Sequence, residues 1–418
     1  MSIWLVCQYF RPETNPPANR MLAMATNWQK LGVKVRMLTA LPNHPKGELH
    51  TDYKNKPKWF LEDIEGISVQ RHWLWISNKK SAIPRALMQL SFMFSLIFYN
   101  RKSQIAETDK PQVIVASSPE FFCVIGAWWL SRRYKVPFVM EVRDLWPAIF
   151  KDMGVLTNPF ILWILEKLEL FMYRRAAAVV TVTEGYAENI STRGISADKI
   201  FVIPNGVMDV EVDAALDVYK NGAVQKLKSD LHINPLTKVV LYIGNHGQAQ
   251  ALGQIIDAAR ELIYRTDIQF LFVGDGADKN RLESLAKGVP NIQFLGNQPK
   301  EKVWEFYGLA TVSISCLKDV TAFDTTIPSK IFEIMTSQTP LIACLKGESA
   351  NVVERSKAGV VVPREAPKKL AEAITTLVDN PVRMEEMARA GRVFVDSERR
   401  YSALAKQYAG ILKYVIAK

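Results

Sequence analysis

The chain is poor in the residue types that build disulfide frames and metal centres. Only four of its 418 residues are cysteine: Cys7, Cys123, Cys316 and Cys344 lie far apart, each inside an apolar run. That spacing argues against a disulfide frame or a zinc cluster and fits free buried thiols. The five histidines (His44, His50, His72, His232 and His246) show no ligand spacing, and H-E-x-x-H is absent. No D-x-D stands beside a predicted strand end either, so no metal and no cofactor is expected. G-x-G-x-x-G is missing after the first predicted strand, which speaks against a redox dinucleotide fold. Long apolar runs are also missing. The most lipophilic stretch, Ile83 to Lys102, has a 13-residue core from Leu87 to Tyr99, too short to span a bilayer. The opening MSIWLVCQYFR lacks a basic n-region and is expected to be a buried strand, not a signal peptide.

What is present is an α/β rhythm, twice over. A chain of this length suits two domains of about 200 residues each. Ile3–Cys7, a Pro-rich loop, a helix from Ala18 to Leu31 and the strand Val33–Leu38 open as a doubly wound sheet does. Leu41–Lys58 is a long polar loop, expected to be functional or disordered. Pro204-Asn205-Gly206 is a turn signal and the polar stretch after it reads as a linker with a lead-in helix. The predicted domains are therefore 1–206 and 237–395, joined by 207–236, with a final helix in 396–418 returning to the first domain. Charge is unevenly spread: residues 1–206 carry 26 Lys/Arg against 17 Asp/Glu, residues 207–418 carry 27 against 25. The basic half points to an anionic partner, nucleic acid or a membrane face. No basic-aromatic stripe or nucleic-acid motif accompanies it, so nucleic acid is not expected. The Leu87–Tyr99 helix, flanked by Arg85, Arg101 and Lys102, either packs under the sheet or rests partly on a membrane interface.

The candidate site centres on Thr321 to Ser349. Pro328 suits a first helical turn, and Ser329, Lys330 and Glu333 follow it. Lys330 and Glu333 share one helix face, offering a cation to a diphosphate and a carboxylate to sugar hydroxyls. Three predicted strand ends carry small residues: Gly244-Asn245-His246-Gly247, Gly274-Asp275-Gly276 and Gly296-Asn297. Such turns let phosphates or a base approach the backbone. In the first domain Arg143-Asp144 follows a strand, where parallel sheets bind ligands. Arg20 lies in a first helical turn, where it either holds a phosphate or is simply solvated.

The residues QYFRPE, LPNHPKGEL, VRDLWP, VIPNGV, YIGNHGQAQAL, VGDGADKNRL and TTIPSKIFEIM, in this order, resemble the retaining family-4 glycosyltransferases of GT-B fold. Within that family they are most similar to the WbuB-like group of L-fucosamine or N-acetylhexosamine transferases of O-antigen and capsule assembly. The resemblance implies two Rossmann-like domains facing across a cleft. It implies a UDP-sugar donor, an undecaprenyl-diphosphate-linked saccharide acceptor and attachment to the inner face of the cytoplasmic membrane. Residue by residue, it places ribose hydroxyls on Glu333, diphosphate on Lys330 and the turn Gly244, Asn245 and Gly247, and donor sugar and acceptor near Asp144. Where the family's E-x7-E motif has its first glutamate, this chain has Thr325, beside Asp324. Where many members carry Arg and Lys after the first strand of the second domain, it has Asn245, His246 and Gln248. A nucleotide-sugar 2-epimerase of the same fold and an inactive scaffold are the rival readings.

Overall fold

The computed structural model describes residues 1–79, 82–102, 109–148, 151 and 156–418. It divides into unit 1, Met1–Asn205 with Tyr401–Lys418, and unit 2, Gly206–Arg400.

Unit 1 holds eight strands: β1 Ser2–Val6, β2 Lys34–Ala40, β3 Trp59–Ile64, β4 Ile67–His72, β5 Val113–Ser117, β6 Phe138–Val142, β7 Ala178–Thr181 and β8 Ile200–Val202. Their order is β3-β4-β2-β1-β5-β6-β7-β8. All neighbours are parallel except β3 and β4, a hairpin whose turn residues Glu65 and Gly66 have φ of 53° and 79°. Two consecutive positive φ values are what a twisted two-residue hairpin turn requires. The central strands are apolar on both faces because helices cover both faces. The polar loop after β2 is ordered by Glu13, whose Oε1 accepts from Asn43 N and His44 N at 2.9 Å each.

Helix Ala82–Lys102 turns Phe92 and Leu96 into the core, against helix Phe121–Tyr134. A Cβ on Gly126 would lie 3.3 Å from Leu96 Cδ1, so the two helices meet where the side chain is smallest. The other face of the same helix exposes Ile83, Leu87, Phe94 and Phe98. Helix Tyr401–Ala417 closes unit 1: Trp28 Nε1 donates to Ala405 O at 3.0 Å, and Trp28 meets the Tyr408 ring edge-on. The chain thus returns to its first domain, at Tyr401 instead of the expected residue 396.

Unit 2 holds β9 Lys238–Ile243, β10 Ile268–Val273, β11 Ile292–Leu295, β12 Val312–Cys316, β13 Leu341–Cys344 and β14 Gly359–Val362. They are all parallel, in the order β11-β10-β9-β12-β13-β14. The winding reverses between β9 and β12, the point where such sheets open a crevice at their carboxyl ends. The stretch 207–236, expected to be a linker with a lead-in helix, belongs to unit 2. Its helices Asp209–Lys220 and Ala223–Asp230 pack on helix Lys300–Leu309, and Tyr219 Oη donates to Ser337 O at 2.7 Å. A Cβ on Gly308 would come within 2.8 Å of Val224 Cγ2, which explains how closely these helices pack.

Candidate functional site

The carboxyl edge of unit 2 gathers most of the sequence candidates. β12 leads into the 3-10 turn Thr321–Thr325 and then helix Lys330–Thr336, with exposed Ser329 at its N-cap position making no side-chain cap bond. Pro328 precedes the helix by two residues and does not open it. From the helix start the Lys330 side chain reaches back to the end of β9. Its Nζ donates to Ile243 O at 3.2 Å and stands 3.9 Å over the Tyr242 ring. Burial draws its pKa down to about 8, while Cys316 and Glu333 pull the other way. Gly244 makes this reach possible: its φ is +137°, and a Cβ there would lie 2.9 Å from Lys330 Nζ.

One turn on, Glu333 Oε2 accepts from Tyr307 Oη at 3.2 Å. Burial, then the nearby Glu211, raises its pKa. Glu211 is itself ion-paired with Lys300. Tyr307, Glu211 and Lys300 were not foreseen from the sequence, since they lie far from Glu333 along the chain and carry no motif. At its edge the site is therefore one lysine, one carboxylate held by a phenol, and a cation–anion pair beyond it. That set suits an anionic group next to a hydroxylated one.

The glycine turns serve the chain's own packing. A Cβ on Gly274, whose φ is +132°, would lie 2.1 Å from Gly244 O, and one on Gly276 would lie 2.5 Å from His246 O. Gly247 is closed in by Asn245 Nδ2 and Gln250 Oε1, each 2.8 Å from where its Cβ would be. The close approach expected of a ligand is here the approach of neighbouring loops. Asn245 is exposed, with its carbonyl accepting from Tyr242 Oη at 2.8 Å. His246 is fully buried among Tyr242, Phe272 and Phe294, and burial lowers its pKa, so it belongs to the core.

Thr325 ends the 3-10 turn, partly buried. Its neighbour Asp324 does not stand free for the missing glutamate. Asp324 Oδ1 accepts from Arg364 Nη1 at 2.8 Å, with Lys346 Nζ 3.9 Å from Oδ2.

In unit 1 the structure corrects the expectation for Arg20. Its side chain is 2% exposed and all four Nη hydrogens are engaged, donated to Pro204 O, Asn205 Oδ1, Ile203 O and Glu141 Oε2. It ties the first helix to the end of β8 and has no Nη donor left for a phosphate. Arg143 is also committed: Nε donates to Ser117 Oγ at 2.8 Å, and Nη2 faces Glu120 Oε2 at 3.6 Å. Asp144 is partly buried, and burial lifts its pKa to about 6 against the pull of Arg143. Among the described residues no group of three or more His, Cys, Asp or Glu is placed to hold a metal ion. No helix among them is long and apolar enough to cross a membrane.

Residues 17–206 match the family described as Glycosyl transferase 4-like domain, and residues 237–380 match Glycosyl transferases group 1. With those two domains on two doubly wound sheets, the chain is a glycosyltransferase of the GT-B fold. Among curated relatives it is similar to the Escherichia coli K12 glycosyl transferase WcaI, whose name places it in colanic acid biosynthesis. The two are 25% identical over 318 residues, 73% of each chain. It is also similar to the alpha-D-kanosaminyltransferase of Streptomyces kanamyceticus, 26% identical over 301 residues, 68% of this chain and 72% of that one. In fold it resembles sucrose-phosphate synthase from Thermosynechococcus elongatus, with a TM-score of 0.75, 17% identity and 100% and 99% of the two chains covered. Anabaena HepE, solved in complex with UDP and glucose, aligns at a TM-score of 0.71 with 15% identity over 98% and 99% of the chains.

Proposed function

We propose that this glycosyltransferase moves a sugar from a UDP-sugar to a lipid-diphosphate-linked saccharide acceptor, with retention, in bacterial surface polysaccharide assembly. The observation that carries the reading is Lys330 Nζ seated on Ile243 O beside Gly244, one helical turn from a Glu333 held by Tyr307. Lys330 supplies the positive charge for the diphosphate, and Glu333 accepts ribose hydroxyls. In the Gly244–Gly247 turn the N–H groups of Gly244 and His246 are already donated to Val273 O and Asp275 O, so those of Asn245 and Gly247 complete the cradle, and no metal ion or cofactor is called for. As UDP departs, charge builds on its β-phosphate. Removing one donor to such a developing charge costs about 3 kcal/mol. Retention is read as a front-face attack in which the leaving phosphate itself takes the acceptor's proton.

HepE, with UDP and UDP-glucose bound in related structures, supports a uridine nucleotide. The kanosaminyl- and colanic-acid-related names support an amino sugar donor, such as L-FucNAc or another N-acetylhexosamine, and a polysaccharide product. Unit 1 is proposed to rest on the anionic inner leaflet. Ile83, Leu87, Phe94 and Phe98 on one helix, and Phe160, Ile161, Trp163 and Ile164 on helix Pro159–Arg175, leave apolar surface in water. Lys167, Arg174 and Arg175 accompany the second stripe, and each basic residue at such a surface contributes about 1 kcal/mol. A panel of nucleotide sugars read by thermal shift tests the reading. Stabilisation by UDP-sugars is expected, and stabilisation by none of them would overturn it.

A further inference from the structure

Tyr242 stands at the reversal point of the unit 2 sheet, one residue before the end of β9, and is 1% exposed. Its ring is clamped by Phe272 of β10 and by His246, with centroids 6.3 and 5.8 Å away. Two further contacts leave it. Lys330 Nζ stands 3.9 Å from the ring centroid, and the phenol Oη donates to Asn245 O at 2.8 Å. Gly244 lies between the two contacts: a Cβ there would be 2.9 Å from Nζ and 3.8 Å from Oη.

A buried ammonium needs compensation, and what supplies it decides what the ammonium can still bind. A carboxylate in contact would cancel the charge and repel a diphosphate. An aromatic face attracts the cation through its quadrupole, carries no net charge and takes none of its hydrogens. Ile243 O is the one hydrogen-bond acceptor of Nζ among the described residues, so two of the three ammonium hydrogens remain for a ligand. The hydroxyl acts on the backbone half of the same cradle. Asn245 O and His246 N–H belong to one peptide plane. The carbonyl accepts from Tyr242 Oη, and the N–H donates to Asp275 O at 2.8 Å. Held at both ends, that plane fixes the N–H groups of Asn245 and Gly247 on either side of it. We propose that Tyr242 is the positioning residue of the diphosphate cradle, holding the Lys330 ammonium with its ring and the Asn245–Gly247 turn with its hydroxyl. This rests on the nucleotide reading of unit 2 and adds the residue that ties the side-chain cation to the backbone donors.

The experiment titrates full-length wild type, Tyr242→Phe and Tyr242→Leu with UDP and with uridine, reading each Kd by ligand-observed NMR. Without nucleotide, it also follows the Lys330 titration by NMR of carbon-labelled lysine, with Lys330→Arg locating the signal. Cys316 of β12, Glu333 of the same helix and His246 also act on Lys330 and stay in every variant. Tyr242→Phe keeps the ring and is expected to weaken UDP about fivefold, with uridine binding and the Lys330 titration unchanged. Tyr242→Leu is expected to weaken UDP more than tenfold and to move the Lys330 titration down by about one pH unit. Should the leucine variant not fold, the phenylalanine variant still decides the role of the hydroxyl. Equal UDP affinity in wild type and variants, or a Lys330 titration left in place by Tyr242→Leu, would overturn the proposal. Parallel loss of UDP and uridine with a lowered Tm would make Tyr242 a purely structural residue and overturn it too. A wild type that binds no UDP would contradict the nucleotide reading, while the Lys330 titration would still decide whether the ring holds the ammonium.

Discussion

The two sheets end in the same way and are furnished in opposite ways. At the edge of unit 2, neighbouring loops are packed so closely that Gly274 and Gly276 have no room for a side chain, and one lysine is pressed into the end of a strand. At the edge of unit 1, Arg143 is held between Ser117 and Glu120, and Arg20 is wholly enclosed. The first arrangement keeps a cation for an anion, whereas in the second each arginine faces a carboxylate of the chain itself. A net positive charge on the first half of the chain therefore says nothing about its site.

The variants that break this contrast most strongly are Lys330→Ala and Glu333→Ala. Each is expected to lower kcat/KM by on the order of a hundredfold or more with the fold intact, as for loss of a transition-state donor or a buried charged contact. Near-normal turnover in either, measured with donor in excess, would remove the unit 2 site.

Next in size is Gly274→Ala. A Cβ 2.1 Å from Gly244 O at a φ of +132° is expected to cost about 3 kcal/mol in urea unfolding. An unchanged midpoint would show that the loops do not need their glycines.

The pH dependence of UDP binding follows. With its pKa held near 8 by burial, Lys330 carries its ammonium below pH 8 and loses it above. UDP Kd is thus expected to be flat below pH 8 and to rise towards about tenfold per pH unit above it, until the pKa of the complex is reached. Lys330→Arg is expected to remove that rise, and a wild type flat to pH 10 would contradict the assignment. The folded-state pKa is lowered, so this lysine costs stability below pH 8 and the cost fades between pH 8 and its ordinary value.

Tyr307→Phe removes one phenolic donor to Glu333 and is expected to reduce kcat/KM about fivefold, in line with a net hydrogen bond of about 1 kcal/mol. The weakest effect belongs to the apolar stripes. Replacing Phe94 and Phe98 by serine is expected to reduce co-sedimentation with anionic vesicles at low salt without changing UDP affinity, and no change in sedimentation would remove the membrane proposal.

The α/β rhythm, the sheet strands and the Lys330–Glu333 pair were legible because each is a local pattern: apolar runs bounded by glycine, and charges one turn apart. The hairpin strand β3 was not, because an edge strand such as WFLEDI alternates only weakly and follows a polar loop. In 207–236 a lead-in helix was expected but not the pair Asp209–Lys220 and Ala223–Asp230, because a polar composition covers their exposed faces. The partners of Glu333, Arg20 and Asp324 were out of reach for another reason. Tyr307, Glu141 and Arg364 lie 26, 121 and 40 residues away, and only the winding of the sheets brings them in. His246 could not be told from a ligand residue, since nothing in G-N-H-G says which way the ring turns.

The claim that unit 2 holds the nucleotide while unit 1 does not is tested most directly by calorimetric titration of UDP into wild type, Lys330→Ala and Glu120→Ala. UDP is expected to bind the wild type and Glu120→Ala equally and to lose most of its affinity for Lys330→Ala. Full affinity in Lys330→Ala, or its loss in Glu120→Ala, would contradict it.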